Sequence, residues 1–276
     1  MSESKTSIFK KNFDFYIFSN IHVALAAFCL TKITLLEVGI SDNTAPFFVF
    51  LATLISYNMI RLMRLNSIKS WFNNWFVTHQ KHILILLLLA FLPLLYLLFQ
   101  IRLKPLLVLF PFALFTLLYT FPVSKFSLRE KPGVKLFLIA LSWAGITVFF
   151  PLVQNFMQLR DVDFITFLQR FLFVFAITIP FDIRDLQYDK ESMKTIPQQI
   201  GIQNSKRLAI ILIVLFFILE FFKTSDLQSI IIVFLISVLS ILLIYKMIIK
   251  RSKYYTSFFI EALPIVWLLL YVVLKK

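Results

Sequence analysis

The chain has 276 residues, of which 60% are hydrophobic, and its mean hydropathy is +0.87. These values exclude a soluble globular domain of this length and indicate an integral membrane protein. The net charge of +14 is typical of some nucleic-acid-binding proteins, but in so apolar a chain the positions of the basic residues decide what the charge means.

Apolar segments long enough to cross a bilayer recur along the whole chain. A membrane-spanning helix needs about 20 apolar residues. Runs such as HILILLLLAFLPLLYLLF are apolar on every face, which is typical of a helix and not of the alternating strands of a β-barrel. The sequence therefore predicts an all-α polytopic membrane bundle, one domain over residues 1–276, with nine transmembrane helices. They are placed at 15–36, 46–64, 82–100, 104–122, 134–153, 163–181, 207–223, 227–248 and 256–274.

The basic residues gather on one side of the predicted membrane. If the N-terminus is cytoplasmic, 20 of the 28 Lys and Arg residues fall in cytoplasmic segments and six fall on the opposite side. This excess follows the positive-inside rule and predicts a cytoplasmic N-terminus and a C-terminus on the opposite side. The basic charge is therefore mainly a topology signal, which anionic membrane lipid can reinforce, and no nucleic-acid partner is expected.

Two predicted cytoplasmic loops carry side chains suited to an anionic ligand. The stretch SYNMIRLMR after the second span places Asn58, Arg61 and Arg64 close to one helical face. Guanidinium groups bind phosphate or carboxylate through paired hydrogen bonds. The stretch LYTFPVSK after the fourth span adds Tyr119 and Lys125. An ordinary basic collar at the membrane surface is the alternative, and these residues alone leave both interpretations open.

A group of carboxylates follows the sixth predicted span, where four of the chain's 14 acidic residues lie between positions 182 and 191. Asp182, Asp185 and Asp189 share one face if the helix continues beyond Pro180, because they are spaced i, i+3 and i+7. Carboxylates on one stripe repel one another unless a cation lies among them, and Mg²⁺ held together with substrate phosphates is a common solution. A solvated helix end balanced by nearby basic side chains is the alternative.

The stretch FDIRDLQYDKESMKTIPQQIG, residues 181–201, resembles the second aspartate motif of the UbiA-type intramembrane prenyltransferases. That family has D-x-x-D-x-x-x-D after its sixth helix, which Asp182, Asp185 and Asp189 match, and Lys194 lies in the similar continuation KTIPQQIG. LYTFPVSK is similar to the family's tyrosine-and-lysine stretch after the fourth helix. The resemblance implies nine helices and an active site that opens to the cytoplasm.

The first aspartate motif of that family is missing. The family has N-D-x-x-D-x-x-x-D at the end of its second helix, where this chain keeps Asn58 but has, at the aspartate positions, Met59, Leu62 and Asn66. In the family each motif holds Mg²⁺ against the allylic diphosphate. The resemblance therefore implies one Mg²⁺ site and leaves a second in doubt. Arg61 and Arg64 lie in the same stretch, either to meet the diphosphate without a metal or to pair with the remaining aspartates.

The resemblance implies a membrane prenyltransferase that transfers an isoprenyl group from an isoprenyl diphosphate to an aromatic or lipid acceptor. Its catalytic and Mg²⁺-binding residues are expected to be Asp182, Asp185 and Asp189. The diphosphate is expected to contact Asn58, Arg61, Arg64, Tyr119, Lys125 and Lys194. Isoprenyl diphosphate, a hydrophobic acceptor and membrane lipid are then the partners. Two alternatives stay open: a member that binds or moves a prenyl diphosphate without transfer, and an unrelated transporter.

Overall fold

The computed structural model describes residues 8–63, 71–120, 134–189, 193–249 and 251–275, with the backbone alone at 71, 73 and 117–120. Within these ranges the chain is helical and forms no strand. The helices are α1 Ile8–Phe18, α2 Ile21–Glu37, α3 Thr44–Met63, α4 Trp71–Thr78, α5 Gln80–Gln100, α6 Leu103–Thr120, α7 Val134–Gln154, α8 Asp161–Asp185, α9 Ile196–Lys223, α10 Leu227–Tyr245 and α11 Leu263–Leu274. A π-helical segment, Tyr255–Ile260, leads into α11.

The predicted all-α membrane class is confirmed. Described helices overlap each of the nine predicted spans, and six helical stretches of the described chain are long and apolar enough to cross a membrane. The bent pair α1 and α2 makes a seventh if it counts as one span. Helices α6 and α9 lie outside this set, so the number of nine crossings stays a prediction.

The chain bends by 55° between α1 and α2, and buried asparagines hold the bend. Asn20 adopts a left-handed backbone conformation with φ of 66°, which asparagine tolerates better than most residues. Its Nδ2 donates to Asn58 Oδ1 over 2.8 Å, and Asn58 Nδ2 donates to the Ser19 carbonyl over 2.8 Å. Asn58 thereby ties the end of α3 to the break.

Helices α2 and α8 occupy the centre of the bundle. Helix α2 packs against α3, α7 and α11, and α8 packs against α7 and α9. Arg170 joins the two central helices, because its buried guanidinium donates to the Leu30 carbonyl over 2.8 Å and to Thr34 Oγ1 over 3.3 Å. Helix α7 is also enclosed, since 67% of its apolar stretch is buried. In α5 the buried share is only 17%, so α5 exposes most of its surface toward the predicted lipid.

Charged contacts collect at the two ends of the bundle. The 19 residue steps from Asp163 to Asp182 in α8 span about 28 Å at 1.5 Å per residue. At the first end Lys223 pairs with Glu37 over 3.1 Å, and at the second Lys135 pairs with Asp182 over 2.5 Å. The second end is the one that the charge distribution predicts to be cytoplasmic.

Candidate functional site

The end of α8 carries the predicted aspartates in nearly the expected arrangement. Asp182 and Asp185 lie in the last turns of the helix. The backbone N–H groups of Tyr188 and Asp189 both donate to the Asp185 carbonyl, over 2.8 and 2.9 Å, so one further turn follows the helix. Asp189 therefore lies one turn beyond Asp185, as the spacing predicts.

Two of the three aspartates are already paired with cations of the chain. Asp182 is buried, with a side chain 2% exposed, and its Oδ1 lies 2.5 Å from Lys135 Nζ at the start of α7. Asp185 accepts two hydrogen bonds from its neighbour, from Arg184 Nε over 2.7 Å and from Arg184 Nη2 over 2.8 Å. Neither carboxylate is free to bind a ligand without sharing or exchanging its present partner.

Asp189 differs from both, because its Oδ2 is buried and has no hydrogen-bond partner among the described residues. Burial raises the pKa of the Asp189 carboxyl to about 6. Lys135 opposes this rise, whereas the negative charges of Asp185 and Asp182 add to it. A buried, unpaired carboxylate oxygen is the group in this region that most needs a cation or a proton.

The segment that follows the aspartates begins α9 with a capped first turn. The backbone N–H of Thr195 donates to Gln198 Oε1 over 2.8 Å, and Pro197 lies in the first turn of the helix. Gly201 interrupts the helix with φ of 76°, a value that glycine adopts without strain. Gln198 also reaches back and donates from Nε2 to the Asp189 carbonyl over 3.4 Å, so this turn helps to fix Asp189.

Arg61 approaches the same end of the bundle from α3. Its Nη1 donates to the Phe18 carbonyl over 3.2 Å, and its guanidinium lies 4.1 Å from the centre of the Phe72 ring. Asp185, Arg184 and Glu261 act on it electrostatically. Arg61 forms no ion pair with a described residue, so the expected alternative in which it pairs with the aspartates is not what the structure contains: Arg184 takes Asp185 instead.

The other predicted ligands of the diphosphate are less closely associated with the aspartates. Asn58 is fully buried in the α1–α2 bend. Lys194 is exposed and forms no ion pair with a described residue. Arg64 and Lys125 lie outside the described residues, as does the side chain of Tyr119. Among the residues that the structure describes, no group of three or more His, Cys, Asp or Glu side chains is arranged to hold a metal ion.

Two residues to which the sequence analysis gave no role, Lys135 and Glu261, belong to this region, together with Arg184, one of the basic side chains expected to balance the aspartates. Arg184 joins α8 to the last span, since its Nη1 donates to Thr256 Oγ1 over 2.8 Å and to Ser257 Oγ over 3.0 Å. Glu261 had a usable signal, because a lone carboxylate inside an apolar span is unusual and often functional. Lys135 had no signal beyond its general placement among basic residues, whereas Arg184 was indicated by its position next to Asp185.

Comparisons with known proteins give the fold a name. The sequence matches no protein-family model and none of the curated proteins. The structure, however, has the UbiA-type fold of intramembrane prenyltransferases.

Three solved structures carry this assignment. A UbiA homolog from Archaeoglobus fulgidus bound to GPP and Mg²⁺ aligns with a TM-score of 0.67 over 95% of this chain and 100% of that chain, at 12% identity. A UbiA homolog from the same organism bound to DMAPP and Mg²⁺ gives 0.66 over 95% and 98%, also at 12% identity. A digeranylgeranylglyceryl phosphate synthase gives 0.55 over 97% and 100%, at 20% identity. At these identities the likeness establishes the fold.

Proposed function

We propose that this protein binds an isoprenyl diphosphate and one Mg²⁺ at the Asp182–Asp189 end of the bundle and transfers the isoprenyl group to a hydrophobic acceptor. The observation that carries the proposal is the buried, unpaired Oδ2 of Asp189. It lies in a fold shared with UbiA homologs that were solved with GPP or DMAPP and Mg²⁺. An unpaired buried carboxylate costs free energy, and a bound cation removes that cost.

The oxygen donors of this region suit a single Mg²⁺. Mg²⁺ is usually held by one or two carboxylates, several waters and the phosphates of the substrate. Asp189 offers a free oxygen, and Asp182 and Asp185 lie within the two preceding turns. When bound, the ion supplies Lewis-acid stabilisation of the charge that develops on the diphosphate as its bond to C1 breaks.

Arg61 supports the proposal from a second helix. It lies in α3, in the stretch where the carboxylates of the first family motif are missing. Its contacts with Phe18 and Phe72 fix the guanidinium but leave N–H groups without a partner among the described residues. A guanidinium can bind phosphate oxygens without a metal, so Arg61 serves as the fixed cation on this side.

The proposal also gives the positions of the two substrates relative to the membrane. The charged groups of the diphosphate lie at the end predicted to be cytoplasmic, and the isoprenyl chain extends between the apolar helices. The acceptor enters from the membrane, because a hydrophobic acceptor partitions there. This arrangement has the N-terminus in the cytoplasm and the C-terminus on the opposite side.

The direct test is a transfer assay on purified protein in lipid nanodiscs. Radiolabelled geranylgeranyl diphosphate is supplied with Mg²⁺ and a panel of alcohols and phenols, and both lipid-soluble product and released diphosphate are measured. Asp189→Asn is the test variant, and Asp161→Asn, an exposed aspartate at the other end of α8, is its matched control. We expect product from the wild type and the control but little from Asp189→Asn. Absence of both product and released diphosphate from the wild type would contradict the proposed transfer.

A second candidate function is binding or movement of a prenyl diphosphate without transfer. It is favoured by the ion pairs of Asp182 with Lys135 and of Asp185 with Arg184, which occupy two of the three motif carboxylates. Tight binding of geranylgeranyl diphosphate without release of inorganic diphosphate would support this second candidate.

A further inference from the structure

Glu261 lies at the junction between the π-helical segment and α11. Its backbone N–H donates to the Thr256 carbonyl over 3.2 Å, the five-residue register of a π-helix, which is often found at functional sites. Arg184 of α8 binds this segment through the Thr256 and Ser257 hydroxyls. His22 of α2 binds it through the Phe258 carbonyl, over 3.0 Å. Two neighbouring helices therefore fix the position from which Glu261 projects.

Glu261 is a partly buried residue, and its carboxylate has no hydrogen bond or ion pair with any described residue. The guanidinium groups of Arg61 and Arg184 act on it electrostatically from two different helices. Neither guanidinium lies within ion-pairing distance of the carboxylate, and we call this separation the gap. The ionisable groups around this gap are Tyr16 of α1, His22 of α2, Tyr57 and Arg61 of α3, and Arg184 and Asp185 of α8.

The groups around this gap favour a ligand with a neutral hydrogen-bond donor next to a phosphate anion. A second metal ion is a poor occupant, because Arg61 and Arg184 already place two positive charges there. The two guanidinium groups suit phosphate oxygens. The free carboxylate suits a group that donates a hydrogen bond, as a hydroxyl does.

We propose that Glu261 accepts the proton of a hydroxyl acceptor during isoprenyl transfer, an inference that rests on the proposed function. The acceptor oxygen forms a bond to C1 of the isoprenyl group as the bond from C1 to the diphosphate oxygen breaks. The electron pair of that bond leaves with the diphosphate, facing Arg61 and Arg184. The hydroxyl proton passes to the Glu261 carboxylate. The acceptor class is then an alcohol or a phenol.

Glu261→Gln tests this role because it keeps the shape of the side chain and removes its basicity. Two quantities are measured with Mg²⁺: the Kd for geranylgeranyl diphosphate, and the rate of its transfer to 1-O-octadecylglycerol or, failing that, to a long-chain phenol. We expect a Kd within about twofold of the wild type and a transfer rate about 100-fold lower, the usual contribution of a general base. Asp161→Asn is the control and should match the wild type in both.

Three outcomes overturn the role of Glu261. One is a Glu261→Gln variant that transfers at the wild-type rate. The second is a Glu261→Gln variant that loses diphosphate affinity in proportion to its rate, since the carboxylate then only positions the arginines. The third is a wild type that releases diphosphate but transfers the isoprenyl group to no hydroxyl acceptor, whereas a wild type that gives neither product nor released diphosphate contradicts the proposed function as well. If Glu261→Gln fails to fold, Glu261→Asp decides: slower transfer at unchanged Kd supports the role, and unchanged transfer contradicts it.

Discussion

Lys135 Nζ lies 2.5 Å from Asp182 Oδ1 and joins the start of α7 to the end of α8. The pair is enclosed, since the Asp182 side chain is 2% exposed and that of Lys135 is 19% exposed. The first aspartate of the motif is therefore neutralised by the chain itself. Asp189, two turns further along, is the motif carboxylate whose buried Oδ2 has no hydrogen-bond partner among the described residues.

Replacement of Lys135 by Met should destabilise the bundle, because it leaves the Asp182 carboxylate buried without its cation. Breaking a buried pair from one side costs about 3 kcal/mol or more. Thermal unfolding in detergent, followed by exposure of the buried Cys29 thiol to a fluorescent maleimide, should show a lower midpoint. The double variant Lys135→Met with Asp182→Leu should recover much of the loss. An unchanged midpoint for Lys135→Met would show that the pair carries no stability.

Asp189→Asn should remove most of the Mg²⁺ dependence of diphosphate binding. Changes to the surroundings of a metal site already cost about 10-fold to 100-fold in metal affinity, and loss of a ligand should cost at least as much. The measurement is a titration of geranylgeranyl diphosphate at a series of Mg²⁺ concentrations, with Asp161→Asn as the control. The account of Asp189 fails if the two variants need the same Mg²⁺ concentration.

Arg61→Ala should weaken diphosphate binding even at saturating Mg²⁺. A hydrogen bond to a charged group contributes about 1.5–3 kcal/mol, or roughly 10-fold to 100-fold in affinity. Arg61→Lys should recover only part of this, because an ammonium cannot form the paired contact of a guanidinium. Arg102→Ala, at the other end of the bundle, is the control. Equal affinities for Arg61→Ala and the wild type would remove Arg61 from the site.

Asn58→Ala separates a packing role from a ligand role for a residue that matches the family motif. The amide takes part in three hydrogen bonds, with Asn20, Ser19 and Leu54. Their loss leaves buried polar groups unpaired and should cost about 1–3 kcal/mol. We expect a lower unfolding midpoint, with diphosphate affinity nearly unchanged in the folded fraction. Asn74→Ala, at an exposed position, should leave both unchanged, and a selective loss of affinity in Asn58→Ala would favour the ligand role.

The sequence predicts the helices well because each span is an apolar run, which depends only on local composition. The spacing of Asp182, Asp185 and Asp189 is also local, and α8 with its extra turn reproduces it. The contact of Asp182 is not local, whereas Asp185 is paired with its sequence neighbour Arg184. Lys135 lies 47 residues from Asp182 along the chain, and Glu261 meets Arg61 and Arg184 only when three helices pack together. No spacing rule connects such residues.

The loss of the first aspartate motif shows the same limit. The sequence indicates that Met59 and Leu62 replace carboxylates, and it raises the possibility that Arg61 pairs with the second motif. Which cation pairs with Asp185 depends on where α3 lies relative to α8, and in the structure the sequence neighbour Arg184 donates to both Asp185 oxygens. Arg61 instead donates to the Phe18 carbonyl and lies over the Phe72 ring.

The central claim is that the aspartate end of the bundle holds an isoprenyl diphosphate with the help of one Mg²⁺. Its most direct test is the equilibrium binding of geranylgeranyl diphosphate to the wild-type protein in nanodiscs, measured once with Mg²⁺ and once with EDTA. The account predicts saturable binding with Mg²⁺ and an affinity at least about 10-fold lower with EDTA. Equal binding in both conditions, or none in either, would contradict it.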